Sequence, residues 1–174
     1  MQNTNLSANR NSWKVCLPLP AQRERLSFQH DYSEEGYKKI SLGLIPEVME
    51  DKWFVFMEDN ILYFHRSWTG VCIYEIHFEK LGDKYSIKEA WVNRDDQQYK
   101  QTDLDYDREL LKFLIDNLLL EKNTPFPLSN KVAGKIPKGV QQHSMSGTGY
   151  PEIIYKPKKT SWLAKIKRLL GFEK

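Results

Sequence analysis

The sequence predicts an α+β domain: a four-stranded antiparallel meander at 53–93 packed on one main helix at 103–120. Two observations predict it. Residues 52–93 divide into four apolar runs joined by connections of a few residues, and connections that short require antiparallel neighbours. Directly after them, leucines recur at helical spacing, as in a helix that covers one face of a sheet. The length of 174 residues suits about one domain. With 40% apolar and 28% charged residues, the composition excludes a disordered or fibrous chain.

Residues 1–32 read as an irregular N-terminal segment, polar and Asn-rich at first, then extended from Trp13 to Leu19 and closed by Pro18 and Pro20. An α+β core follows at 33–121. Ser33 before Glu34 and Glu35 is a helix start, and Gly36, Gly43 and Pro46 limit that helix to about 34–40. The first strand, WFVFM at 53–57, is apolar on both faces. Asp59-Asn60 makes a two-residue turn, since both residues tolerate positive φ. The second strand runs from Ile61 to about Ser67 and the third from Val71 to Glu79. After the turn Leu81–Lys84, Tyr85 to Asn93 forms the fourth.

A period of two sorts the side chains. Leu62, Phe64 and Arg66 share one side of the second strand, with Ile61, Tyr63 and His65 on the other. On the third, Cys72, Tyr74, Ile76 and Phe78 oppose Val71, Ile73, Glu75 and His77. On the fourth, Ala90 and Val92 oppose Tyr85, Ile87, Glu89 and Trp91. Thr102 or Asp103 caps the main helix, and Asp103, Asp105 and Asp107 favour its N-terminal dipole. Its stripe is Leu104, Leu111, Ile115 and Leu118, widened by Leu110, Leu114 and Leu119. A Pro/Gly-rich extension occupies 122–156, and a basic amphipathic tail helix is expected in 157–174.

Several function classes are excluded at this level. Cys16 and Cys72 are too few for a disulfide framework, and no H-x-x-x-H or C-x-x-C supplies a compact metal motif. Nothing calls for a cofactor. His77 with Glu75 and Glu79 is a suitable donor set for a divalent ion, but such a face is more often simply solvated. Ser146-Gly147-Thr148-Gly149 lacks the spacing and the GK[ST] ending of a P-loop. No apolar run reaches the roughly 18–20 residues of a membrane span, and the N-terminus carries no apolar signal core. The expectation is a cytoplasmic protein with reduced thiols. The net charge of +3 is uneven, for residues 156–174 hold seven Lys or Arg against one Glu, leaving −3 on the other 155. A basic tail on an acidic body argues against nucleic-acid binding, which would spread basic residues over a folded face.

Two polar motifs stand out: His65-Arg66-Ser67-Trp68-Thr69-Gly70 after the second strand and Val92-Asn93-Arg94-Asp95-Asp96 after the fourth. In a meander both lie at the same end, one strand and about 10 Å apart. LYFHRSWTG (62–70), CIYEI (72–76) and AWVNRDDQQYKQTD (90–103) resemble an uncharacterised bacterial domain family with an HRSWTG motif, a later VNRD motif with a trailing Tyr, and a closing leucine-rich helix. The resemblance covers about 46–120. It implies association with ADP-ribosylglycohydrolase-type or other nucleotide-processing modules, and it carries over no catalytic residues.

Chemically, Arg66 and Arg94 offer planar forks for a phosphate or carboxylate. Ser67, Thr69, Gly70 and Asn93 add neutral hydrogen bonds, and Trp68 and Trp91 add stacking surfaces. The first reading is therefore a binding or accessory module for a nucleotide-like or anionic ligand, or for a protein partner. The second is a small hydrolase or transferase with His65 as acid/base and Asp95 orienting it. The third is a purely structural interaction module, with Arg66 paired to Asp95 or Asp96. In the tail, Trp162, Leu163, Ile166, Leu169 and Leu170 form one apolar stripe among lysines over 160–172. Such a segment suits the protein's own body, a partner groove, or weak attachment to an anionic membrane.

Overall fold

The computed structural model describes residues 7–127, which build an antiparallel sheet covered by helices on one face and by the N-terminal segment on part of the other. Strands β1 (Arg23–Leu26) and β2 (Asp31–Ser33) are followed by helix α1 (Glu34–Ser41). Strands β3 (Trp53–Glu58), β4 (Ile61–Arg66), β5 (Cys72–Leu81) and β6 (Lys84–Asn93) lead into helix α2 (Leu104–Leu114), which continues as one π-helical turn, Ile115–Leu119. The sheet order is β1-β6-β5-β4-β3, with β2 also pairing β6.

The sheet is thus larger than the four strands expected. β1 and β2 lie end to end along the outer edge of β6, pairing Ala90–Asn93 and Lys84–Ser86. The second helix, α1, is capped by the Ser33 hydroxyl, which accepts from the Gly36 amide. The β3–β4 turn places Asp59 at φ 51° and Asn60 at φ 60°, the two left-handed residues that a two-residue hairpin of matching twist requires. At α2 the cap is Asp103, whose carboxylate accepts from the amides of Asp105 and Tyr106.

Two bulges alter the facing of side chains. Phe64 pairs with Tyr74 but His65 pairs with Cys72, so Ile73 is the extra residue. Cys72 therefore joins His65 rather than the Tyr74–Ile76 side, and Ile73 belongs to the main core. On β6, His77 faces Glu89 while Phe78 faces Ile87, leaving Lys88 extra. That turns Ile87 and Tyr85 toward the core face, against the simple alternation.

The core face brings Trp53, Val55, Leu62, Phe64, Tyr74, Ile76, Ala90 and Val92 together with Leu110, Leu111, Leu114 and Ile115 of the helix. On the opposite face, Ala8, Trp13 and Cys16 pack over Phe54, Phe56 and Tyr63, which explains why β3 is apolar on both sides. Beyond the π turn, buried Asp116 receives Lys112, Lys122 and the Thr124 hydroxyl, and Asn117 holds Thr124 through both its amide atoms. These bonds bring Phe126 edge-on against Phe113. None of the helices among the described residues is long and apolar enough to cross a membrane. The expected tail helix at 157–174 lies outside them.

Ile76 has no solvent exposure and sits mid-strand against α2. Ile76→Ala should lower the unfolding free energy by about 2–5 kcal/mol, as large-to-small core changes do. Urea titration of the variant beside the parent measures this.

Candidate functional site

The two polar motifs do lie at one end of the sheet, with the start of β5 between them: Phe64 and Val92 both pair with Tyr74. What each motif holds, however, differs.

After β6, Asn93 is fully buried. Its amide donates to the Cys72 carbonyl at 2.8 Å and to Gln98 at 2.9 Å, and its oxygen accepts from the Asp95 amide. The Asp95 carboxylate accepts from Gln97 and Gln98, and its carbonyl from the amides of Gln98 and Tyr99. This tight turn aims Tyr99 into the protein. There Tyr99 donates to Asp107 Oδ1 at 2.6 Å and Tyr74 donates to the same oxygen at 2.9 Å, while Arg94 reaches Asp107 Oδ2 at 2.8 Å. Arg94 also donates to Glu24 of β1 and to the carbonyls of Asn93 and Gln101. Burial opposes the charge of Arg94, but the hydrogen bonds it donates to Glu24 and Asp107 outweigh this, so its pKa is raised. Every arm of its fork is engaged internally. Arg66 packs over the Trp53 ring at 4.4 Å. Burial lowers its pKa, opposed by the nearby phenols of Tyr99, Tyr74 and Tyr106. The two arginines therefore flank one buried tyrosine–aspartate cluster. Burial drives the phenols of Tyr74 and Tyr99 well above their ordinary value and pushes Tyr106 up to about 12.

HRSWTG holds the N-terminal segment. His65 lies on the opposite face from Arg66, 1% exposed, stacked on Phe56 at 5.4 Å. Its Nε2 donates to the Leu17 carbonyl at 3.1 Å, and Nδ1 has no partner among the described residues. Burial lowers its pKa to about 4. His65 and Asp95 belong to separate hydrogen-bond networks, His65 with Leu17 and Asp95 with Asn93, Gln97, Gln98 and Tyr99. The Ser67 hydroxyl donates to the Asp51 carbonyl at 2.6 Å, and the Ser67 carbonyl accepts from Trp13 Nε1 at 2.7 Å. Thr69 accepts from the Val71 amide. Gly70 has φ +71°, and a Cβ there would lie 2.6 Å from the Val15 carbonyl, so only glycine lets the N-terminal segment approach. Trp91 lies under Arg23 at 4.7 Å. His77 Nε2 donates to the Glu75 carboxylate at 2.7 Å and His77 Nδ1 lies 3.7 Å from Glu89. No group of three metal-binding side chains occurs among the described residues.

Compared with family models, curated proteins and solved structures, the chain has no match. Any functional reading therefore rests on the geometry. Three residues of the two motifs are exposed, Trp68, Thr69 and Asp96, and of these Trp68, 62% exposed, is the large apolar one. Its indole donates to the Met49 carbonyl at 2.9 Å, and Lys52 lies over its ring at 4.6 Å, so the ring is held in place. Trp68, Trp13, Pro46, Val48, Met49 and Asp51 line a groove of about 420 Å³. Sequence reasoning missed Glu24 and Asp107 as partners of Arg94, Tyr74 and Tyr99 as partners of Asp107, and Val48 and Met49 as neighbours of Trp68. The aspartate was legible only as a charge near a helix start.

Two outcomes follow from these contacts. Asp107→Ala should cost about 3–5 kcal/mol, because it leaves Arg94 without its buried partner and two phenols without an acceptor. Tyr99→Phe, which keeps the ring and the ion pair, should cost about 0.5–1.5 kcal/mol in the same denaturant titration. For His65, the unfolded chain takes up a proton below about pH 6.5 and the folded one only near pH 4. Stability should fall by about 2 kcal/mol between pH 6.5 and 5, since the unfolded state alone gains the proton. In His65→Phe this part of the slope should vanish, as read by urea titrations at both pH values.

Proposed function

We propose that the chain is a binding module that recognises a protein partner through the groove beside Trp68. The observation that carries this reading is the solvent-exposed, hydrogen-bonded indole of Trp68 at the wall of an apolar cleft. Tryptophans in such positions are the commonest energetic anchors of protein interfaces. Exposed apolar side chains are also concentrated here. Val48, Met49 and Trp68 line the groove, and Val15, Leu17 and Ile45 belong to the segments bordering it, leaving only Leu81 elsewhere among the described residues.

The chemistry of the occupant follows from the rim. Glu47, Glu50 and Asp51 stand on the groove-forming loop, against Lys14 and Lys52. The described body as a whole holds 21 Asp and Glu against 16 Lys and Arg. An apolar groove in an acidic surface suits an amphipathic helix with basic flanks, laid in by side chains at i, i+3 and i+4 spacing. A nucleotide-like ligand at the same end is less well served. Arg94 is engaged by Glu24 and Asp107, Asn93 is fully buried, and His65 faces the N-terminal segment.

Calorimetric titration separates the two ligands. The protein carries Leu163→Asp and Ile166→Asp, so that its own apolar tail does not compete. The probes are a designed Leu/Lys amphipathic peptide and, separately, ADP-ribose. The peptide should bind, and Trp68→Ser should weaken it at least ten-fold without changing the melting temperature. ADP-ribose binding that Arg66→Lys weakens and Trp68→Ser leaves intact would return the site to the arginine end.

A further inference from the structure

We propose that the occupant of this groove is the chain's own segment 160–172, folded back onto the body; this rests on the groove reading above. Residues 128–174 hold ten Lys and Arg against two Asp and Glu, so the charge of the remainder complements that of the acidic body. Within it, Trp162, Leu163, Ile166, Leu169 and Leu170 make one apolar stripe with Lys165, Lys167 and Arg168 beside it. A helix of two to three turns is marginal alone in water, so the stripe calls for an apolar surface. Among the described residues, the concentration of exposed apolar side chains is the groove formed by Trp68, Met49 and Val48.

Reach is no obstacle. The described chain ends at residue 127, and the 32 residues before Thr160 could extend over about 105 Å. That is several times the diameter of a domain of this size, roughly twice a 13 Å radius of gyration for a hundred residues. A tethered segment also docks at a high effective concentration, commonly about millimolar for flexible linkers, so a weak contact is enough to keep it seated. The consequence is regulatory. A partner with a similar helix must displace the tail, and modifying the tail lysines would release the groove by removing the charge that favours closure.

The test uses the full chain. Met49→Cys with Leu163→Cys, in a Cys16→Ser background, is oxidised at low protein concentration; the control joins Leu81→Cys with Leu163→Cys. Positions 49 and 81 are both exposed, and Cys72 is buried and does not compete. The 49–163 disulfide within one chain should form at least ten-fold faster than 81–163, and adding Trp68→Ser should erase the difference. Equal rates overturn the proposal. Disulfides formed only between chains also overturn it and assign the segment to a second copy. The absence of a 49–163 link together with flotation on anionic vesicles, unchanged by Trp68→Ser, overturns it in favour of a membrane surface. If the designed peptide still binds the tail-disrupted protein while the two disulfide rates are equal, self-docking fails and the groove reading stands.

Discussion

A single buried carboxylate organises the fold. Asp107 has no solvent exposure, yet it receives two phenols and a guanidinium. A charge in that position is tolerable only if every partner is in place, because removing one leaves the others desolvated and unsatisfied. Those partners come from four places: Tyr74 from β5, Tyr99 from the turn after β6, Arg94 from the end of β6, and through Arg94, Glu24 from β1. The helix cannot slide along the sheet, nor the outer strand detach, without breaking this set. Hydrophobic burial supplies most of the attraction between helix and sheet, and the carboxylate fixes which arrangement of the layers is allowed.

The same division of labour holds on the other face. Leucine-rich packing closes one side of the sheet, whereas the opposite side is closed by a strap, residues 8–17, that makes one short 3-10 turn and lays Ala8, Trp13 and Cys16 on Phe54, Phe56 and Tyr63. Polar contacts fix its position: Trp13 to Ser67, Leu17 to Gly70 and to His65, and Arg10 to Glu58. The HRSWTG residues divide accordingly. His65, Ser67 and Gly70 bind the strap or the adjoining loop, and Trp68 is left facing outward. A motif dense in reactive side chains is here mostly a joint.

How much of this was legible depends on whether the signal is local. The Asp59-Asn60 turn, the Asp103 cap and the leucine stripe are encoded within a few residues, and each was readable. The two bulges were not. One extra residue at Ile73 and another at Lys88 reverse the facing of Cys72 and Ile87, and nothing in the local pattern marks either insertion. β1 and β2 escaped because four- and three-residue strands with mostly exposed side chains carry no alternation to detect. Asp107 was visible as a negative charge in the first turns of a helix, but its real role requires Tyr74 and Tyr99, which lie 33 and 8 residues away in sequence. Long-range satisfaction of a polar group leaves no periodic trace.

The outer edge of the sheet has a consequence for how this protein meets other chains. That edge is two short strands with a break at 27–30 and with Arg23, Glu24 and Arg25 on the first. The other edge, β3, is interrupted at its centre by the reciprocal pairing of Val55 with Leu44. Neither border offers a long run of unpaired backbone, the template on which strands of separate molecules stack into fibrils. A six-stranded sheet rich in aromatic residues would otherwise be at risk of exactly that growth. Blunted at both borders, it leaves side-chain surfaces, and not backbone, as the route by which another polypeptide can attach.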